Sequence, residues 1–100
     1  MVKHLIELVV KYGEFAVFQD ATMNYQKVAA DHGVEPYTLW INQGSGRMNE
    51  AFFEATFDSE DALMQRDVAD GDIPELGAAL TALLSHCVPG SIFDRRLSLS

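Results

Sequence analysis

The sequence predicts an α+β fold in which a four-stranded antiparallel sheet has its helices on one face. Four segments alternate apolar and polar residues with the period of two that is typical of β-strands. Two intervening segments instead repeat apolar residues at steps of three and four, as amphipathic helices do. Glycine or proline lies at most of the junctions between these segments. The elements therefore follow one another in the order β-α-β-β-α-β.

The first strand is predicted over residues 3–12 and the first helix over residues 14–31. Even-numbered residues form the apolar side of the strand, and Gly13 ends it. Gly33 is expected to end the helix, because glycine adopts the left-handed conformation at low steric cost. The core-facing stripe of the helix consists of Phe15, Phe18, Thr22, Tyr25 and Ala29.

A hairpin follows, with strands over residues 36–43 and 48–57 and a glycine-rich turn over residues 44–47. Asp58 or Ser59 is expected to cap a second helical region, which breaks near residues 70–72 and restarts at Pro74. The buried stripe of this region consists of Leu76, Leu80, Leu83, Leu84 and Cys87. The last strand is predicted over residues 92–99, with Phe93, Leu97 and Leu99 opposite Ile92, Asp94, Arg96 and Ser98.

Length and composition predict one domain over residues 1–100, because a single hydrophobic core serves a chain of this size. An apolar content of 48% is that of a folded chain rather than a disordered one. No apolar run approaches the roughly 20 residues that span a bilayer, and the N-terminus lacks a signal-peptide pattern. A cytoplasmic location is therefore expected. The net charge of −8 disfavours nucleic acid and anionic membranes as partners.

The second side of the predicted sheet has a mixed character, since large apolar residues alternate there with acidic and amide residues. Its apolar members are Leu5, Val9, Trp40 and Phe52, and its polar members are Glu7, Asn42, Glu50 and Glu54. The helices cover only one side of such a sheet, and monomers rarely expose an apolar patch of this extent. We therefore expect a homodimer that forms through this mixed face. A monomer with a concave ligand-binding face is the alternative.

Short motifs along the chain resemble the dimeric α+β barrel superfamily, whose members have the ferredoxin-like order of elements. The motifs are Tyr12-Gly13-Glu14-Phe15, Gly46-Arg47-Met48-Asn49-Glu50 and Phe57-Asp58-Ser59. Within the superfamily the chain is most similar to NIPSNAP-like proteins. The superfamily includes cofactor-free quinone-forming monooxygenases, haem-degrading enzymes, isomerases, decarboxylases and members with no known activity. The resemblance therefore implies the fold, whereas function follows only by analogy.

The candidate catalytic residues are Glu7, Glu54 and Arg96. In the ferredoxin-like strand order, strands one and three are central neighbours and strand four lies beside strand one, which brings these side chains close together. Two carboxylates in a partly dry cavity raise one another's pKa, as a general acid or base requires. An arginine beside them holds an anionic or enolate-like oxygen. An ion-paired network, or glutamates at the wet rim of the interface, is the alternative.

The candidate substrate-binding residues are Trp40, Asn42, Glu50 and Phe52. Cofactor-free monooxygenases of the superfamily use a Trp, an Asn and often an Arg to bind an aromatic substrate, and this chain contains the same residue types. Their positions do not match motif by motif. For Trp40 an interface anchor is the other interpretation, since tryptophan is enriched at the centres of protein interfaces.

No cofactor is expected, and the remaining reactive residue types suggest structural roles. His4, His32 and His86 lack the spacing of a metal site, and Cys87 lies on a helix stripe as a buried thiol would. Tyr12 and Tyr37, at strand ends, can line the mouth of a cavity. Two classes of function remain. One is a cofactor-free enzyme of monooxygenase or isomerase type acting on an aromatic or enolisable small molecule, and the other is a non-catalytic ligand-binding or assembly module.

Overall fold

The computed structural model describes residues 1–44 and 49–99. Within these residues the chain forms four strands and three helices in the predicted order. They are β1 (Val2–Val9), α1 (Phe15–Asp31), β2 (Thr38–Ile41), β3 (Glu50–Phe57), α2 (Glu60–Asp72), α3 (Pro74–Leu84) and β4 (Phe93–Ser98). The second helical region breaks before Pro74, as predicted. Most of the predicted turn over residues 44–47, and the predicted start of the third strand at Met48, lie outside the described residues.

The strands form one antiparallel sheet in the order β2-β3-β1-β4. The prediction that the first and third strands are central neighbours, with the fourth beside the first, is confirmed. Ile6 pairs with Phe53 and Leu8 with Ala51 across β1 and β3. Because residues directly opposite each other share a face of the sheet, the even-numbered residues of β1 and the apolar residues of β3 form one continuous layer.

The helices pack on this layer and enclose the hydrophobic core. The predicted stripe of α1 is confirmed, since Phe18, Thr22, Tyr25 and Ala29 are buried. On α3, Leu76, Ala79 and Leu83 are buried in the same way. The rings of Phe18 and Phe53 meet between helix and sheet, with centroids 6.1 Å apart. No helix within the described residues is both long enough and apolar enough to cross a membrane.

The prediction for the faces of β4 is wrong. Arg96 pairs with His4 and Arg95 with Leu5, so Arg96 lies on the helix-covered side and Arg95 on the open side. A shift of one residue reverses every side chain of a strand. Polar partners account for this orientation, because Asp94 and Arg96 find His4 and Asp67 on the covered side. Arg96 is therefore separated from Glu7 and Glu54 by the thickness of the sheet.

Candidate functional site

A cavity of about 200 Å³ lies between the sheet and the helices. Most of its wall is aliphatic or aromatic, formed by Ile6, Leu8, Phe53, Leu80, Leu83, Leu84 and Ile92. The polar lining residues are His4, Tyr25, Tyr37, Asp67, Asp70 and Asp94. Ile92 is 45% exposed and the side chain of Asp94 is half exposed, so the cavity meets solvent beside β4. An apolar chamber with a few convergent polar groups is the usual form of a small-molecule site.

His4 joins two other polar residues of this cavity in a hydrogen-bonded chain. Its Nδ1 lies 2.5 Å from the hydroxyl oxygen of Tyr37, and its Nε2 lies 2.6 Å from Oδ1 of Asp94. A carboxylate only accepts hydrogen bonds, so Nε2 of His4 carries the proton that is shared with Asp94. In the neutral imidazole Nδ1 is then an acceptor, and the Tyr37 hydroxyl donates to it. The chain runs from the buried Tyr37 to the half-exposed Asp94.

Local structure places each member of this chain. His4 lies on the helix-covered side of β1 and pairs with Arg96 on β4. Asp94, two residues before Arg96, is therefore the diagonal neighbour of His4 on the same face. Tyr37 directly precedes β2, where Pro36 favours extended backbone. Gln26 of α1 donates from its side-chain amide to the Tyr37 carbonyl at 2.9 Å. The ring of Tyr37 also packs edge-on against the His4 ring, with centroids 5.4 Å apart. Tyr37 is thus held by its backbone and its ring.

Arg66 of α2 forms a second buried cluster beside the cavity. Its guanidinium donates to Asp70 Oδ1 at 2.7 Å, to the Tyr25 hydroxyl at 2.9 Å and to the Glu35 carbonyl at 3.1 Å. Tyr25 in turn donates to Asp70 at 2.8 Å. The charge of Arg66 also lies 5.2 Å from the centroid of the Tyr37 ring. This cluster ties α1, α2 and the segment before β2 together.

Burial keeps the phenols of this region neutral. Desolvation raises the pKa of Tyr25 to about 12, against a smaller opposing effect of Arg66. Desolvation likewise raises the pKa of Tyr37 well above its ordinary value, and Arg66 again opposes the shift. Burial opposes the charge of Arg66, yet its hydrogen bonds to Asp70 and Tyr25 outweigh this effect and raise its pKa. The phenols therefore act as hydrogen-bond donors at neutral pH.

The residues predicted for catalysis and substrate binding lie mostly on the opposite, open face of the sheet. Glu7 pairs with Phe52, Leu5 with Glu54 and Trp40 with Phe52, which places these side chains together as predicted. Asn42 donates to Glu50 at 3.1 Å at one end of this face. Glu7 lies 3.4 Å from Arg95, and Glu54 lies 3.8 Å from Lys3. The glutamates thus have cationic neighbours, as the alternative of an ion-paired network expects.

Arg96 is the exception among the predicted catalytic residues. Its Nη2 donates to Oδ2 of Asp67 at 2.7 Å, and this bond raises the pKa of Arg96. Its Nε lies 3.8 Å from Asp94 Oδ1. Arg96 therefore borders the mouth of the cavity, on the same side of the sheet as His4. The position beside Glu7 that was predicted for Arg96 is occupied by Arg95.

Sequence reasoning missed the chain formed by Tyr37, His4 and Asp94. The available signal was a histidine on the apolar side of a central strand, since an ionisable residue in that position requires buried partners. The identity of those partners was not visible, because Tyr37 is 33 residues and Asp94 is 90 residues away from His4. Tyr37 lines the cavity between sheet and helices and not a cavity on the mixed face, where the sequence placed the site, whereas Tyr12 is 89% exposed and lies outside the observed cavity.

The other two histidines form ion pairs outside the cavity, and the cysteine is part of the hydrophobic core. His32 lies 3.7 Å from Glu75, and His86 lies 2.9 Å from Glu14. Cys87 is buried, as predicted, and desolvation raises the pKa of its thiol to about 11. Across residues 1–44 and 49–99, no three His, Cys, Asp or Glu side chains converge in the way that metal ligands do.

The layer of helices, the antiparallel sheet and the open opposite face give this chain a ferredoxin-like α+β fold, which solved structures of other proteins share. An uncharacterized NIPSNAP domain protein from Burkholderia xenovorans has 13% identity and a TM-score of 0.78, covering 100% of this chain and 95% of that one. An antibiotic biosynthesis monooxygenase is 11% identical to this chain, with a TM-score of 0.74, and the alignment covers 100% of this chain and 99% of that one. A dimeric ferredoxin-like protein of unknown function from Jannaschia sp. has 19% identity and a TM-score of 0.68, covering 98% of each chain.

These similarities confirm the predicted resemblance to NIPSNAP-like proteins at the level of the fold. A scan against protein-family models finds no match, and a search of curated proteins finds no relative. At identities of 11–19% the shared feature is the fold, so the function must be argued from the site.

Proposed function

We propose that this protein binds an apolar small molecule in the cavity between its sheet and its helices. The observation that carries the proposal is the combination, in one chamber, of hydrocarbon walls with a hydrogen-bonding end that contains His4 and Tyr37. An apolar cavity of about 150 Å³ is large enough to hold benzene. The cavity of about 200 Å³ therefore has room for a ring of that size with a substituent or a second, fused ring.

The charges around the cavity favour a neutral ligand. Each carboxylate in the lining has a cationic or imidazole partner within hydrogen-bond distance, namely Arg96 for Asp67, Arg66 for Asp70 and His4 for Asp94. An added ionic group would compete with these pairs, whereas a carbonyl or hydroxyl group needs only one hydrogen bond. The ligand class we propose is thus a compact aromatic or alicyclic ring that carries one oxygen.

We also propose that two chains pair through the open face of the sheet. On that face Trp40 is 56% exposed, Phe93 is 54% exposed and Leu97 is 51% exposed. Monomeric proteins rarely expose an apolar patch of this extent to water. A protein of similar fold is described as dimeric. In this arrangement Trp40 and Phe52 anchor the interface, and the ion pairs of Glu7 with Arg95 and of Glu54 with Lys3 lie on the same face. The catalytic roles of these glutamates, and the binding roles of Asn42 and Glu50, stay predictions.

Calorimetric titration with the bicyclic ketone 2-tetralone tests the proposed binding. The wild-type protein is expected to bind it, and Leu80→Trp is expected to abolish binding by filling the cavity with an indole ring. Leu80 is only partly buried, so this variant is expected to remain folded. Ala78→Trp adds the same ring to an exposed position of α3 and serves as the matched control. Absence of binding to the wild type, or equal binding by both variants, would contradict the proposal.

A further inference from the structure

We propose that Tyr37, His4 and Asp94 form a proton relay that takes a proton from a carbon next to a carbonyl group of the bound molecule. The inference rests on the proposed function, because it requires a ligand in the cavity. It adds a reaction class, proton transfer at an activated carbon, and a reacting atom, the hydroxyl oxygen of Tyr37. The residues are different from the glutamates that the sequence suggested.

The geometry of the chain matches what such a relay requires. Hydrogen bonds of 2.5 Å and 2.6 Å on either side of His4 join the three polar groups into one continuous chain, as proton transfer between them requires. The carboxylate of Asp94 accepts a hydrogen bond from Nε2 of His4, which fixes the tautomer of the imidazole. The basic nitrogen, Nδ1, therefore faces Tyr37. All three residues line the cavity. Both ring nitrogens of His4 are engaged within the chain, and Asp94 lies at its half-exposed end, so we assign the contact with the ligand to the Tyr37 oxygen.

The proposed step balances without an external reagent. The Tyr37 hydroxyl passes its proton to Nδ1 of His4, and the same oxygen accepts a proton from the ligand's α-carbon. The electron pair of the broken C–H bond moves into the carbonyl group, which gives an enolate. His4 becomes an imidazolium ion, and the carboxylate of Asp94 stabilises it. The proton on His4 can be replaced by one from solvent at the half-exposed end of the relay. Delivery of that solvent proton to the same carbon gives hydrogen exchange, and delivery to another position of the enolate gives an isomer.

The surroundings explain why the phenol needs the other two residues. Burial favours the neutral phenol of Tyr37, so this group alone is a weak base at neutral pH. The transfer to His4 means that a full phenolate need not form. Arg66, 5.2 Å from the ring centroid, further stabilises the partial negative charge that develops on Tyr37. His4 and Asp94 act through Tyr37 and are positioning residues, whereas Tyr37 contacts the ligand.

Deuterium uptake by 2-tetralone measures this step directly. The wild-type protein in D₂O is expected to accelerate exchange at C1 of the ketone above the buffer rate, as followed by proton NMR. Tyr37→Phe removes the reacting oxygen and is expected to lower the protein-dependent rate by about a hundredfold, the lower end of what acid–base catalysis contributes. Tyr12→Phe makes the same change at an exposed site and is expected to retain the rate.

Asp94→Asn provides a second variant that keeps the fold, because the side chain of Asp94 is half exposed. It retains an oxygen acceptor for His4 but removes the charge, so the exchange rate is expected to fall by about tenfold. The dissociation constant of 2-tetralone, measured by calorimetry, is expected to change little in Asp94→Asn and to rise by at most about tenfold in Tyr37→Phe, which loses one hydrogen bond to the ligand but about a hundredfold in exchange rate. A merely structural hydrogen-bond chain would not separate the exchange rate from the affinity in this way.

The outcomes distinguish the two proposals. Binding of 2-tetralone without accelerated exchange, or a wild-type rate in Tyr37→Phe, would overturn the relay and leave the binding proposal standing. Failure of the wild-type protein to bind 2-tetralone would overturn the binding proposal, and the relay with it. Accelerated exchange that falls far more than the affinity does in Tyr37→Phe would support both.

Discussion

Arg66 and Asp70 form an ion pair one helical turn apart on α2, with Nη1 of Arg66 2.7 Å from Oδ1 of Asp70. Pairs with this spacing are common on helix surfaces, where they contribute little. This pair differs because the side chain of Arg66 is only 3% exposed and that of Asp70 is 22% exposed. It anchors Tyr25 and the segment before β2, and so it supports one wall of the cavity.

Arg66→Met is therefore expected to destabilise the protein strongly. The change leaves Asp70 and the Tyr25 hydroxyl without their charged partner, and breaking a buried pair from one side costs about 3–5 kcal/mol. Urea denaturation at neutral pH measures the free energy of unfolding. Lys27→Met removes an exposed cation from α1 and is expected to change stability by less than about 0.5 kcal/mol. A similar small loss in Arg66→Met would show that the cluster contributes little to folding.

The raised pKa values of the buried tyrosines predict a loss of stability at alkaline pH. The pKa of Tyr25 rises from 10.0 to about 12 on folding, and that of Tyr37 moves in the same direction. The unfolded chain releases these protons first, so the stabilisation is complete below pH 10 and is lost as the pH rises toward 12. We expect each tyrosine to lower the free energy of unfolding by up to about 1.4 kcal/mol per pH unit in this window.

Urea denaturation at several pH values between 10 and 12 checks this slope. Tyr25→Phe removes one of the groups that titrate, so its free energy of unfolding is expected to fall less steeply over the same window. The variant is less stable at neutral pH because it loses the hydrogen bonds to Asp70 and Arg66. The comparison therefore concerns the slope and not the absolute value. Equal slopes for the two proteins would contradict the assignment.

The sequence predicted the central strands correctly because their two faces differ strongly in character. On β1 and β3 the residues toward the helices are mostly buried, and the opposite ones are partly exposed. β4 also has an apolar side, but that side, with Phe93 and Leu97, lies on the open face, and each residue of the strand is exposed. Alternation then defines the period of the strand but not which side faces the helices. For this reason Arg96 was assigned to the wrong face.

The candidate site was less accessible to sequence reasoning than the fold. Its central contact joins His4 to Tyr37 and Asp94, which are brought together by strand pairing and by the packing of the segment before β2. Local patterning carries no information on such approaches. The shared face of Glu7, Glu54, Trp40 and Phe52 was predicted correctly, because it follows from the alternation of residues along the strands.

Two glycines provide a matched test of backbone conformation. Gly33 has a φ of 71° and ends α1 in a motif in which Gly33 donates to Ala30 and Val34 donates to Ala29. Gly33→Ala is expected to cost about 1–2 kcal/mol, because a Cβ is disfavoured in the left-handed region. Gly71 lies within α2 with open space around its Cα. Gly71→Ala is expected to stabilise the protein by about 0.5–1 kcal/mol.

Thermal and urea denaturation of both glycine variants measure this difference, since each adds one methyl group to a single position. The expected result is opposite signs for the two changes in the free energy of unfolding. If Gly33→Ala is as stable as the wild-type protein, the left-handed end of α1 is not required for folding. If Gly71→Ala is destabilising, the end of α2 is held in a form that alanine does not favour.

The open face of the sheet predicts the assembly state. Trp40→Glu places a charge among Phe52 and the other apolar residues of that face, where a partner chain would leave it buried without a counter-ion. We expect this variant to be a monomer when the wild-type protein is a dimer in light scattering after size-exclusion chromatography. Met64→Glu is the matched control, because Met64 is 59% exposed on α2, Trp40 is 56% exposed, and both variants add one negative charge. A monomeric wild-type protein, or a dimeric Trp40→Glu, would exclude the open face as the interface. The open face would then be the concave ligand-binding face of a monomer, which is the alternative to a dimer.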